Sequence, residues 1–146
     1  MGNYEPAREL MLQLLKTRMS FRQALQRVLK RNNIDMTFEM LQILSSLWYQ
    51  QGISQQFLAE KTAKDKACLT NLMGNLEKKG WIVRREDPAD RRNRLVYLTS
   101  EGEEISARVR PIVYDVYVQA GIVMGIDEIN ESVQKLRKLD EIFSQL

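Results

Sequence analysis

Two short β-prone runs, WIVRR (Trp81–Arg85) and LVYLT (Leu95–Thr99), flank the charged stretch EDPADRRNR. Strand-forming residues on both sides of a proline-marked tip specify a β-hairpin. That tip is unusual in its charge, because five arginines and three acids fall between Arg84 and Arg94. The other periodic segments of the chain repeat at helical spacing. The hairpin therefore has to be packed by helices, which limits the fold to a small set.

The first helix starts around Pro6, which suits a first turn because its missing N–H is not needed there. Leu14, Arg18, Phe21, Leu25 and Val28 recur at spacings of four, three, four and three, and Leu10, Leu15 and Leu29 widen the seam. At about 26 residues this helix would run roughly 39 Å, longer than a small domain needs for itself. Part of it is expected to pack outside its own core. Asn32 and Asn33 end it, and Thr37 caps a second, buried helix carrying Met40, Leu41, Ile43, Leu44, Leu47 and Trp48 up to Gly52.

Ser54 then caps QQFLAEK, with Phe57 and Leu58 facing inward, and after a tight turn Asp65 caps KACLTNLMGNLEKK. Leu69, Leu72, Met73 and Leu76 share one face of that helix, which closes at Gly80 in a left-handed C′ position. After the hairpin, Thr99 caps a fifth helix with Ile105, Val109, Ile112, Val113, Val116 and Tyr117, ending near Gly121 or Gly125. Asp127 starts a last one with Ile129, Val133, Leu136, Leu139, Ile142 and Phe143. The order is helix-turn-helix followed by a hairpin, flanked by helices whose apolar faces lack an obvious partner. The expected class is mainly α with a small β-hairpin wing: a winged helix-turn-helix over 37–99 and a helical dimerisation layer from 1–32 and 100–146, in one domain of 146 residues.

Composition removes several functions. With no histidine and a single cysteine, Cys68, the chain lacks the usual zinc and general-base residues and cannot form an intrachain disulfide. No catalytic residue, metal ligand or cofactor site is assigned, and an enzyme is not expected. No window approaches the roughly 18 consecutive apolar residues of a membrane span and no secretory signal is evident, so a cytoplasmic protein without a membrane partner is expected. The net charge of +3 is uneven. Residues 1–31 hold seven basic and two acidic side chains, residues 57–94 ten and six, and residues 101–146 five and nine. The first two regions can face a polyanion; the last cannot.

A winged helix sets its second helix in the major groove, with side chains of the N-terminal half at base edges and flanking residues on phosphates. Thr70 and Asn71 have hydrogen-bonding groups for bases, Asn suiting adenine, and Ala67 can pack on a thymine methyl. Lys64 and Lys66 suit phosphates. At the wing, an arginine can enter the narrow, negative minor groove while a neighbouring carboxylate holds it, and Asp90 beside Arg91 and Arg92 supplies those groups. Arg84, Arg85 and Arg94, at the strand ends, can reach phosphate. With Ser54 and Cys68 these residues form the candidate DNA-binding set.

The segment GISQQFLAEKTAKDKACLTNLMGNLEKKGWIVRREDPADRRNRLVYLTSEG resembles the winged helix of the multiple antibiotic resistance regulator (MarR) family of bacterial transcription factors. Its most specific part is LEKKGWIVRREDPADRRNRLVYLTSEG, which combines DP, DRR, and LT followed by an acid and glycine. The resemblance implies a homodimeric regulator, most often a repressor, that binds double-stranded DNA at a pseudo-palindromic operator. It further implies that Arg92 is the minor-groove arginine, Asp90 its orienting partner and Arg91 a phosphate contact. Family members often carry Ser, Thr and Arg where this chain has Ala67, Cys68 and Asn71, so the operator does not transfer. Many members release DNA on binding a small aromatic or anionic effector, and Phe21, Trp48, Tyr49 and Tyr114 fall on helices that would border its crevice. Cys68 reads as an inert small residue, and Gly74, unusual inside a helix, is compatible with close packing. The competing function is a winged helix that recognises proteins instead of DNA.

Overall fold

The computed structural model describes residues 2–62 and 65–146. Among these, six helices and three strands follow in order: α1 (Tyr4–Arg31), α2 (Phe38–Tyr49), β1 (Ile53–Ser54), α3 (Gln55–Thr62), α4 (Lys66–Lys78), β2 (Ile82–Glu86), β3 (Arg94–Leu98), α5 (Ser100–Met124) and α6 (Ile126–Ser144). The chain divides into two compact units at Arg110/Pro111.

Caps set most boundaries in the first unit. The Thr37 side chain accepts the Met40 N–H at 3.1 Å, and Asn33, at φ 57°, ends the turn after α1. Gly80 has φ 76°, a left-handed conformation that a Cβ disfavours, and its N–H donates to the Glu77 carbonyl. Thr99 caps α5 through the Gly102 N–H at 3.0 Å, and its own hydroxyl donates to the Gly80 carbonyl. The end of α4 and the start of α5 are thereby knotted together. Gly102 is needed for this approach, since a Cβ there would lie 2.0 Å from the Trp81 carbonyl oxygen.

The core is aliphatic and centred on α2. Ile43, Leu44 and Leu47 are fully buried with Leu25 and Leu29 of α1, Leu58 of α3, Met73 and Leu76 of α4, and Val96 of β3. In α1 only these two leucines are buried, and Leu10, Leu15 and Met19 are exposed, in line with a helix longer than its own core requires. In the second unit, α6 has no buried residue. Among the described residues no single helix is long and apolar enough to cross a membrane.

Three details depart from the sequence expectations. The sheet has a third strand, β1, which pairs antiparallel with β3 in the order β1-β3-β2; two residues are too few to show a period. Phe57 is half-exposed, not inward, because Leu58 and Thr62, one turn apart, form the buried stripe of the short α3 and leave Phe57 about 100° away from it. The last helix starts at Ile126 with Gly125 as its N-cap, one position before Asp127.

Candidate nucleic-acid interface

The Asp65 carboxylate accepts the Cys68 N–H at 2.8 Å, starting α4 where an uncapped N–H would otherwise go unmet. Leu69, Leu72, Met73 and Leu76 anchor one face of α4 in the core, so Lys66, Ala67, Thr70 and Asn71 emerge together on the exposed side, with Cys68 also exposed. The Thr70 hydroxyl donates to the Lys66 carbonyl at 2.9 Å, which leaves its oxygen as an acceptor. Lys64 lies outside the described residues. Ser54 serves as the cap of α3, its hydroxyl accepting the Phe57 N–H at 3.0 Å.

Register divides the charges of the hairpin. Ile82 pairs with Leu98, Arg84 with Val96 and Glu86 with Arg94, so these six residues share the face that includes the buried Ile82 and Val96. Val83, Arg85, Leu95 and Tyr97 occupy the other face, where the Arg85 guanidinium lies 5.5 Å from the Tyr97 ring centre. The side chain of Arg84 is occupied: it forms an ion pair with Glu77 of α4, and its Nη1 donates to Gln55 Oε1 at 3.2 Å.

The wing tip is held by its own acids. Asp87 accepts the Ala89 N–H at 2.9 Å and the Asn93 side-chain amide at 3.4 Å, while its backbone N–H donates to the Asn93 carbonyl. Asp90 accepts the Arg92 N–H at 3.1 Å with Arg92 Nε 3.5 Å from the same carboxylate oxygen. Arg92 itself is 94% exposed, which leaves its guanidinium open to a ligand. Between the wing and the helix pair runs a groove of about 480 Å³, lined by Gln55, Gln56 and Ala59, by Lys66 and Leu69, and by Arg92, Asn93 and Arg94. Among the described residues, three cations and no carboxylate border it.

The MarR family model matches residues 36–93, the stretch from before α2 to the wing tip. The transcriptional regulator HosA of Escherichia coli O157:H7 is 32% identical over 105 residues, covering 72% of this chain and 78% of HosA. The chain belongs to the MarR family. It is a transcriptional regulator of the DNA-binding winged-helix type. HosA of E. coli O111:H- is 37% identical over a shorter 78-residue stretch, 53% of this chain and 58% of that relative. Among solved structures, reduced AbfR bound to DNA superposes with a TM-score of 0.78 at 18% identity, over 99% of this chain and 96% of AbfR. NadR in complex with 4-hydroxyphenylacetate gives a TM-score of 0.72 at 24% identity, over 92% of both chains. Both show that the MarR fold extends well beyond the winged helix.

Of the four aromatic residues expected to border an effector crevice, three lie in the first unit. Phe21 stacks edge-on against Phe38, ring centres 5.8 Å apart, and Tyr49 is 82% exposed. Trp48 is half-buried beneath the Arg110 guanidinium, 5.5 Å from the ring centre, and its indole N–H is buried with no acceptor among the described residues. Tyr114 belongs to the second unit and is exposed. Sequence reading of this MarR-family chain missed Asp87, Glu77, Gln55 and Arg110. The Asp-Pro step at the tip is a turn signal that points to Asp87; the other three carry no local signal. Gly74 has open space around it, since a Cβ there meets nothing within 4 Å, so close packing does not account for it.

Proposed function

We propose that this MarR-family regulator is a homodimeric, sequence-specific repressor that binds a pseudo-palindromic operator in the cytoplasm and responds to a small effector. The observation that carries the DNA reading is the cationic groove between α3, α4 and the wing, with Arg92 exposed at its rim and braced by Asp90. In this reading α4 enters the major groove with Ala67, Cys68, Thr70 and Asn71 at base edges, Lys64, Lys66, Arg91 and Arg94 hold phosphates, and Arg92 enters the minor groove. Ser54, at the start of α3, lies beside the same backbone. Segments 1–32 and 100–146 form the dimer layer, and 37–99 the winged helix. Support comes from apolar side chains left uncovered in the single chain, among them Leu10, Leu15 and Met19 of α1 and Val133, Leu136 and Phe143 of α6.

Effector response is the finer part of the reading. Its support is Trp48, whose indole N–H has no acceptor among the described residues and whose ring lies under the Arg110 guanidinium, groups suited to an aromatic or anionic molecule. A molecule of that chemistry, 4-hydroxyphenylacetate, is bound by NadR.

Genomic fragments retained by the protein provide the test. Fluorescence polarisation on such a fragment should show log affinity falling steeply with log salt, as counterion release requires. Arg92→Ala should weaken binding by about 1–3 kcal/mol, the range of one specific contact. Unchanged affinity would remove the wing from the interface. Failure to retain any DNA would favour the protein-recognition module.

A further inference from the structure

We propose that Arg84 is a positioning residue of the DNA-binding surface: its guanidinium ties the wing to the recognition helix and to the start of α3. It thereby sets the separation of the two elements that read DNA. This rests on α4 and the wing being the DNA contacts.

Register puts Arg84 where it is. It lies on the strand face of Ile82 and Val96, which are 3% and 0% exposed, so its long side chain starts from the core side of the sheet. A cation leaving that face loses water and needs partners of its own. Glu77, near the end of α4, supplies the opposite charge, and Gln55, the first residue of α3, accepts from the other guanidinium nitrogen at 3.2 Å. The Arg84 side chain is 24% exposed. One planar fork thus spans three elements, which an ammonium group, whose three donors share one nitrogen, does less well.

The pairing also alters what Arg84 offers to DNA. Glu77 cancels its charge locally, and both Nη atoms are engaged. Arg92 and Arg94, which line the groove, remain the wing's cations for phosphate or minor groove. Arg84 accordingly acts through geometry, and its loss should let the wing shift relative to α4 without removing a phosphate contact.

The test uses the full-length protein and a genomic fragment retained by the wild type, with affinity read across a salt series. Removing an acid beside a polyanion tightens binding when charge alone matters, so Glu77→Gln discriminates by sign. Glu77→Gln and Arg84→Met are each expected to weaken binding about tenfold, within the range of coupled neighbours, with the salt slope retained. Exchanging the charges, Glu77→Arg with Arg84→Glu, should recover much of that loss. Arg84→Lys, least disruptive to folding, should weaken binding although it keeps the charge. Tighter binding by Glu77→Gln overturns the inference, as does a slope reduced by about 0.9 in Arg84→Met, which marks one lost phosphate contact. Arg92→Ala measured in parallel separates the two failures. If it weakens binding while Glu77→Gln tightens it, the positioning role alone is wrong; if it has no effect, the wing reading fails and the positioning role falls with it.

Discussion

Helices α4 and α6 are written in the same pattern, apolar residues three and four apart, and they end in opposite situations. In α4, Leu69, Leu72, Met73 and Leu76 are buried to 8% exposure or less. In α6, Val133, Leu136, Ile142 and Phe143 stay between 38% and 54% exposed. An amphipathic stripe announces that a face has a partner, and says nothing about whether the partner belongs to the same chain. Helix α4 buries its own apolar stripe and shows polar groups outward, as a surface that meets DNA must. The last helix leaves its stripe for something else to cover.

The contrast can be broken most directly by truncating each stripe. Leu76→Ala should cost about 2–5 kcal/mol, the range for a buried leucine, with the oligomeric state of the wild type retained. Leu136→Glu should instead dissociate the proposed dimer, seen by light scattering, and weaken operator binding by about 100-fold or more as the second half-site is lost. A wild type that is monomeric at micromolar concentration, or a Leu136→Glu protein that remains dimeric, would end the comparison as drawn.

A smaller effect is expected at the junction where α4 hands over to α5. Gly102→Ala would force a Cβ onto the Trp81 carbonyl, so a destabilisation of about 1–3 kcal/mol is expected in chemical denaturation, by analogy with overpacking. The smallest effect has the opposite sign. Gly74→Ala should stabilise the protein by about 0.5–1 kcal/mol, because the added methyl meets open space in an α-helix that glycine disfavours. If it also weakens operator binding, the absence of a side chain at position 74 serves the approach of DNA.

Much of the fold is legible in the sequence. Thr37, Ser54, Asp65 and Thr99 cap the helices they were expected to cap, because an N-cap depends on a side chain and an N–H three residues away. The hairpin and the core stripe of α4 were equally legible, being periodic over several residues. Phe57 was misjudged for the same physical reason: eight residues of α3 hold too few turns to distinguish adjacent faces. The two-residue β1 left no trace in the sequence at all.

The candidate interface was legible only as a set of residue types. Asp90 and Arg92 are two positions apart, and their contact follows from a turn that local chemistry builds. Arg84, Glu77 and Gln55 come from three elements, and whether Arg84 meets phosphate or Glu77 depends on the hairpin register. A shift of one residue would have placed Arg85 on the core side instead. Short-range interactions are written into neighbouring residues, so the chain alone specified its caps, its helices, its wing and its family. The side on which each arginine emerges, and which apolar stripes the chain covers for itself, arise from contacts between residues far apart in sequence, and those exist only once the elements have packed.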